Sequence, residues 1–265
     1  MKANFVCGPV VIAIGIILSD FTVAVGDTME EEKNLKSGYY YASQETRDMQ
    51  DDDFGNPALL LLEDAEELWS KVEGTAGKSC ASCHEDPASD MKGVGATYPK
   101  YDEILKKPIT LSQFINRERR EKMGAKEWNW ESKQLLGLSA YIMLQSRGMP
   151  YTLVIDGPME PFFKQGRELY FTRSGQFDMA CKYCHTDYAD TLLRGNRLSN
   201  GLANGFPTYR LGAQRLVSLH NRFMGCEKRL RAQPYKAQSD EYINLELYLK
   251  WRGRNISIEM PSVRL

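Results

Sequence analysis

The chain has 265 residues, 42% of them apolar and 26% charged, with a formal net charge of -1. That is enough chain for one large or two small globular domains with real cores. The near-neutral balance argues against a nucleic-acid partner or an anionic membrane surface. The average hides a split: residues 27–56 hold nine acids against three bases, and the chain from Pro57 onward carries an excess of positive charge.

The N-terminus has the pattern of an export signal. Lys2 supplies a positive start, Val6 to Leu18 is almost wholly apolar, and Ala24-Val25-Gly26 offers small residues for cleavage. The apolar run is short for a membrane span. Residues 1–26 are therefore expected to be a signal peptide, with a retained anchor as the alternative. No membrane span is expected after cleavage. Residues 27–57 form an acidic extension, expected to pack on the surface as an extended arm or to be partly disordered.

Six cysteines are present, and Cys7 falls within the signal. Four of the other five form two copies of one motif, Cys80-Ala81-Ser82-Cys83-His84 and Cys181-Lys182-Tyr183-Cys184-His185. CxxCH is the attachment signature of c-type haem. Two thiols add across the porphyrin vinyl groups, and the adjoining His takes one axial position on the iron. Hence Cys80, Cys83, Cys181 and Cys184 are expected to attach two haems covalently, with His84 and His185 as iron ligands. Zinc knuckles or redox dithiols would not explain a His directly after each pair in a chain with three His in all. Haem attachment outside the cytoplasm agrees with the export signal.

The segment before each motif also repeats. Glu67-Leu68-Trp69 precedes Cys80 by the same interval at which Glu168-Leu169-Tyr170 precedes Cys181. Each reads as an amphipathic helix running into a haem loop. Each repeat closes on a further helix, Leu135 to Arg147 and Tyr242 to Arg252, followed by Gly148 and Gly253 as helix stops. The fold expected is mainly α, with two tandem cytochrome c-like domains over 58–152 and 153–265. The boundary lies in the Pro/Gly-rich stretch Gly148 to Pro161, where Tyr151 to Ile155 could add a short strand.

Cys226 is left unpaired. Six bases (Arg210, Arg215, Arg222, Lys228, Arg229 and Arg231) and one acid, Glu227, lie between Gly205 and Arg231. Arg222 is one helical turn before Cys226. Positive charge favours thiolate, which is both a nucleophile and an iron ligand. It would also draw in a small dianion. A buried structural thiol is the bland alternative.

The stretches Phe206-Pro207-Thr208-Tyr209-Arg210-Leu211, Arg222-Phe223-Met224-Gly225-Cys226, Arg231 to Tyr235 and Tyr242 to Gly253 resemble the SoxA family. So do Gly93 to Asp102 and Gln145 to Pro150. The likeness runs from about Pro57 to the C-terminus. It implies a periplasmic L-cysteine S-thiosulfotransferase that joins thiosulfate oxidatively to a cysteine of the carrier SoxYZ. Two electrons leave through haem to a monohaem partner cytochrome, SoxX. By that resemblance Cys226, as a persulfide, is the catalytic residue and the distal ligand of the second haem, and Arg222 binds thiosulfate. Family members with two haems carry a second ligating Cys, but here the corresponding place reads Ile115 to Met123. Met123, Met149, Lys122 or an open position remain for the first iron.

His220 reads as a surface or half-buried residue on the helix leading to Arg222. The four Trp read as packing around haem faces, and Glu118 to Lys122 as a solvated, salt-bridged helix face. A diheme electron carrier without substrate chemistry is the competing function, and it would leave Cys226 inert. A diheme peroxidase is a third, without a distinguishing motif.

Overall fold

The computed structural model describes Met1 and residues 34–265, so the expected signal segment lies outside the described residues. In the first half come α1 (Gln44–Asp51), α2 (Pro57–Ser70), the single turn α3 (Pro87–Asp90), β1 (Lys100–Asp102), β2 (Lys107–Ile109), α4 (Leu111–Lys122) and α5 (Lys133–Leu144). In the second half come α6 (Glu160–Phe171), β3 (Leu192–Leu193), β4 (Asn196–Arg197), β5 (Thr208–Arg210), β6 (Arg215–Val217), α7 (Leu219–Arg229), α8 (Asp240–Arg252) and β7 (Ser262–Arg264).

Local chemistry sets the helix ends. Asn56 accepts from Ala58 N ahead of Pro57, and Ser132, Ser218 and Ser239 each accept from a backbone N–H three residues on. Two helix crossings organise the two cores. α2 meets α5 where a Cβ on Gly137 would lie 3.4 Å from Ala65 Cβ. α6 meets α8 at Gly166, where a Cβ would strike the Asn244 carbonyl. Residues this small let the helix axes approach closely.

The two halves are one architecture used twice. The bridge Glu73–Lys78 recurs as Ser174–Met179, beside Gly74 and Gly175, both at positive φ. After the second CxxCH the chain spends seven extra residues, which form the β3–β4 hairpin. Beyond it the correspondence resumes. Lys100–Ile109 and Tyr101–Pro108 pair as do Thr208–Val217 and Tyr209–Leu216. Thr110 caps α4 through Gln113 N, as Ser218 caps α7 through Asn221 N.

Three expectations need correcting. The acidic extension is not merely an extended arm: α1 forms within it, and the arm is fastened to the second half. Asn56 Nδ2 donates to Pro261 O at 3.0 Å, and Gln50 Oε1 accepts from Val263 N at 3.0 Å. Tyr151 to Ile155 makes no strand. Thr152 N donates to Ala96 O, but no partner strand continues the ladder. The first closing helix ends at Leu144, since Gln145, Ser146 and Arg147 turn back onto carbonyls three residues earlier. The two halves pack together: residues 34–265 are one unit, and Leu216, Ile258 and Met260 pack into the core of the first half. Among the described residues no helix is long and apolar enough to cross a membrane.

Candidate haem and thiolate site

α6 delivers the chain to Cys181, and one wide π-helical turn, Tyr183–Asp187, carries Cys184 and His185. His185 Nδ1 lies 2.7 Å from Ser199 O. A donor at Nδ1 leaves Nε2 with its lone pair free for iron. Gly201 at positive φ makes room for the ring, since a Cβ there would lie 2.7 Å from His185 Cγ. Asn200 between them is held from three sides. It takes the Lys36 N–H at 2.9 Å and the Tyr41 hydroxyl at 2.6 Å on its side chain, and Arg252 Nη1 at 3.1 Å on its carbonyl.

α7 brings Cys226 to the same place. Burial pushes its thiol up, but a hydrogen bond with His185 and the charges of Arg222 and Arg229 outweigh it and bring the thiol down to about 7. Cys181, raised to about 12 first by burial and next by Cys226, is within electrostatic reach, as is Cys184. A His and a thiol thus face one another beside two attachment thiols. That donor set, with the ring cradle at Gly201, fits a c-type haem held between His185 and Cys226.

Arg222 lies near enough to depress Arg210, whose guanidinium is held at about 10 by burial first and then by Arg222 and Arg229. The sequence counted Arg210 among the bases without assigning it a role. Strand β5 turns it toward Cys226, and the signal available was its place in the Phe206 to Leu211 stretch. The Ser199–Gly201 support of His185 was missed, because nothing local in Asn200-Gly201 marks it as a ring contact.

At the first motif, Trp69 Nε1 donates to His84 O at 3.1 Å, and its ring stands 6.1 Å from the imidazole. Burial raises the Cys80 thiol, while Arg119 opposes. Met123 is buried at the end of α4, where its carbonyl accepts from Ala76 N at 3.0 Å. Met149 Sδ would lie 3.7 Å from a Cβ on Gly93. Arg120 and Glu121 pair at the surface as expected. Arg119 does not: it is buried, bonded to Glu73 Oε2 at 2.6 Å and stacked over Trp128.

His220 is likewise no surface residue. It is 1% exposed, accepts Gln238 N at Nδ1, and places Nε2 3.0 Å from Glu246 Oε2. Glu246 Oε1 pairs with Lys250 at 2.7 Å. Burial would lift this carboxyl, yet Lys250 and His220 hold it at about 2. The sequence reading found no partner for His220 because Glu246 lies 26 residues away, on the next helix. The tryptophans divide: Trp69 packs at the first motif, Trp251 packs on Phe163 and Tyr248, and Trp130 sits against His220.

A family model described as "SoxA/TsdA, cytochrome c domain" matches residues 64–151 and again 165–258. The L-cysteine S-thiosulfotransferase subunit SoxA of Pseudaminobacter salicylatoxidans is 46% identical, over 86% of this chain and 80% of its own length. Its namesake in Rhodovulum sulfidophilum is 42% identical over 87% and 80%. A chain of the crystal structure of SoxXA from P. pantotrophus superposes with a TM-score of 0.86 at 39% identity, covering 91% of this chain and 90% of that one. With two copies of a cytochrome c architecture and these relatives along most of its length, the chain belongs to the SoxA family.

Proposed function

We propose that this chain is the L-cysteine S-thiosulfotransferase subunit of a periplasmic thiosulfate-oxidising Sox system, working in a heterodimer with the monohaem cytochrome SoxX. Its export pattern supports the compartment, and the names of its relatives support the activity. The domains run over 58–152 and 153–265, each bearing one covalently attached haem c. Cys80, Cys83 and His84 would hold the first, and Cys181, Cys184 and His185 the second.

The single observation that carries the reading is Cys226 facing His185 amid Arg222, Arg229 and Arg210. The net reaction joins thiosulfate to a thiol of the carrier SoxYZ: one S–S bond forms, the thiol loses one proton, and two electrons are released. Bound haem supplies the sink for those electrons. Arg222 and Arg210 bind the sulfonate end of the dianion and orient its terminal sulfur toward Cys226. Cys226, kept as thiolate by the same charges, carries an extra sulfur as a persulfide and forms and surrenders the transient S–S bond.

Intact mass of the mature protein, purified without reductant from a host that attaches c-type haem, tests this. The expected mass is residues 27–265 plus two haems and one sulfur that a thiol removes, mapped to Cys226. Two haems without added sulfur, even after exposure to thiosulfate and SoxX, would move the electron-carrier reading to the front.

A further inference from the structure

The two repeats can be aligned on backbone features through the helix that carries Cys226. Lys106 and Gln214 share a positive φ in matching hairpins, Thr110 and Ser218 are matching caps, and α4 and α7 start at Leu111 and Leu219. From these starts the first eight residues have one burial pattern: two buried, two half-buried, one buried, three half-buried. Only the last turns differ, α4 running one residue longer than α7: Ala125 N closes onto Arg119 O six residues back, and Ala232 N onto Glu227 O five residues back. Hairpin, cap and burial pattern, each read from the N-terminal side, set one residue opposite Cys226, and it is Glu118.

We infer that Glu118 presents a carboxylate to the distal side of the first haem, giving that iron an oxygen donor where the second has sulfur. The inference rests on the two-haem reading above. Met123 lies past the extra residue of α4, where the offset between the repeats is one shorter, and its counterpart there is Leu230: both carbonyls accept an amide from the turn after Gly74 or Gly175. That role is shared by both repeats and calls for no sulfur. Met149 lies against Gly93, whose counterpart Gly201 touches the proximal His185. Around Glu118 stand Arg117, with Nε 4.0 Å from its Oε1, and the Tyr98–Phe114 pair with Lys100 Nζ 4.9 Å from the Phe114 centroid. A carboxylate is a weak-field ligand, so the ferric first haem is high-spin and exchangeable, while the thiolate-ligated second is low-spin.

The experiment is ferric EPR and visible spectroscopy of the holoprotein, after intact mass has counted its haems. Expected are one high-spin and one low-spin haem, with cyanide converting only the high-spin one. Glu118→Cys replaces the high-spin signal by a second thiolate-type low-spin signal, whereas Met123→Leu leaves the spectrum unchanged. Two low-spin haems with a sulfur-to-iron band that disappears in Met123→Leu would overturn this inference alone. A single haem, at the second motif, would overturn the two-haem reading with it.

Discussion

At matching places the two repeats hold opposite chemistry. The second sets Arg210, Arg222 and Cys226 around one point; the first has Asp102, Phe114 and Glu118 there. Asp102 is tied to Arg117, and Phe114 stacks on Tyr98, so that side is closed by an ion pair and aromatic packing. Among the described residues Arg210 and Arg222 have no such acid and repel one another instead. The same contrast runs through the layer beneath: Ser112 and Ser139 make a neutral 2.8 Å hydrogen bond where the buried Glu246 carboxylate lies 3.0 Å from His220 Nε2 and pairs with Lys250. Uncompensated positive charge costs stability and is kept where an anion is to be held. On the function proposed above, one scaffold serves as an anion-binding reaction site in one copy and as a haem support in the other.

The largest separation between the repeats is expected at the paired distal positions. Cys226→Ala should lower thiosulfate conjugation by about 10⁴-fold or more, the scale of removing a nucleophile. Glu118→Gln should leave turnover nearly intact, measured as carrier conjugation with SoxX as acceptor. Equal losses from both would erase the division of labour.

Next come the buried pairs. Glu246→Gln strands His220 and Lys250 and should cost roughly 3–5 kcal/mol, against about 1 kcal/mol for Ser139→Ala, read from denaturant midpoints. The pH dependence has a definite sign. Glu246 titrates at about 2 in the fold against an ordinary 4.5, so its contribution is full above the ordinary value and lost as pH falls through the window between them. Glu246→Gln should therefore flatten the acid limb of the stability curve by roughly 3 kcal/mol.

Smaller effects follow in the anion pocket. Arg222→Met should lower kcat/KM for thiosulfate by about 10–100-fold, the worth of a charge-assisted hydrogen bond, while Phe114→Leu leaves it unchanged. The smallest difference is at the paired glycines. Both Gly201→Ala and Gly93→Ala carry the roughly 1–2 kcal/mol of a left-handed Cβ. Only Gly201→Ala should also disturb the second haem's spectrum, because its Cβ meets His185.

Much of this was legible in the sequence because the chemistry is local. CxxCH declares its ligands by spacing, the helices before the motifs follow from apolar periodicity, and the basic run around Cys226 stands out in composition. Contacts made across the chain were not legible. His220 finds Glu246 and Arg119 finds Glu73 only after helices from distant segments pack together. The arm's hold on Asn200 joins residues more than 150 positions apart. The seven-residue β3–β4 insertion hid the register that relates Glu118 to Cys226, since a fixed-interval comparison of the motifs fails beyond it.

The central claim is that Cys226 and His185 face each other across one haem. Ferric EPR of wild type and Cys226→Met, both with haem content verified by mass, tests it most directly. A thiolate-type low-spin signal should vanish in Cys226→Met and be replaced by a His/Met signature, with the first haem unchanged. A thiolate signal that survives the substitution would place the sulfur ligand elsewhere and leave Cys226 an ordinary buried thiol.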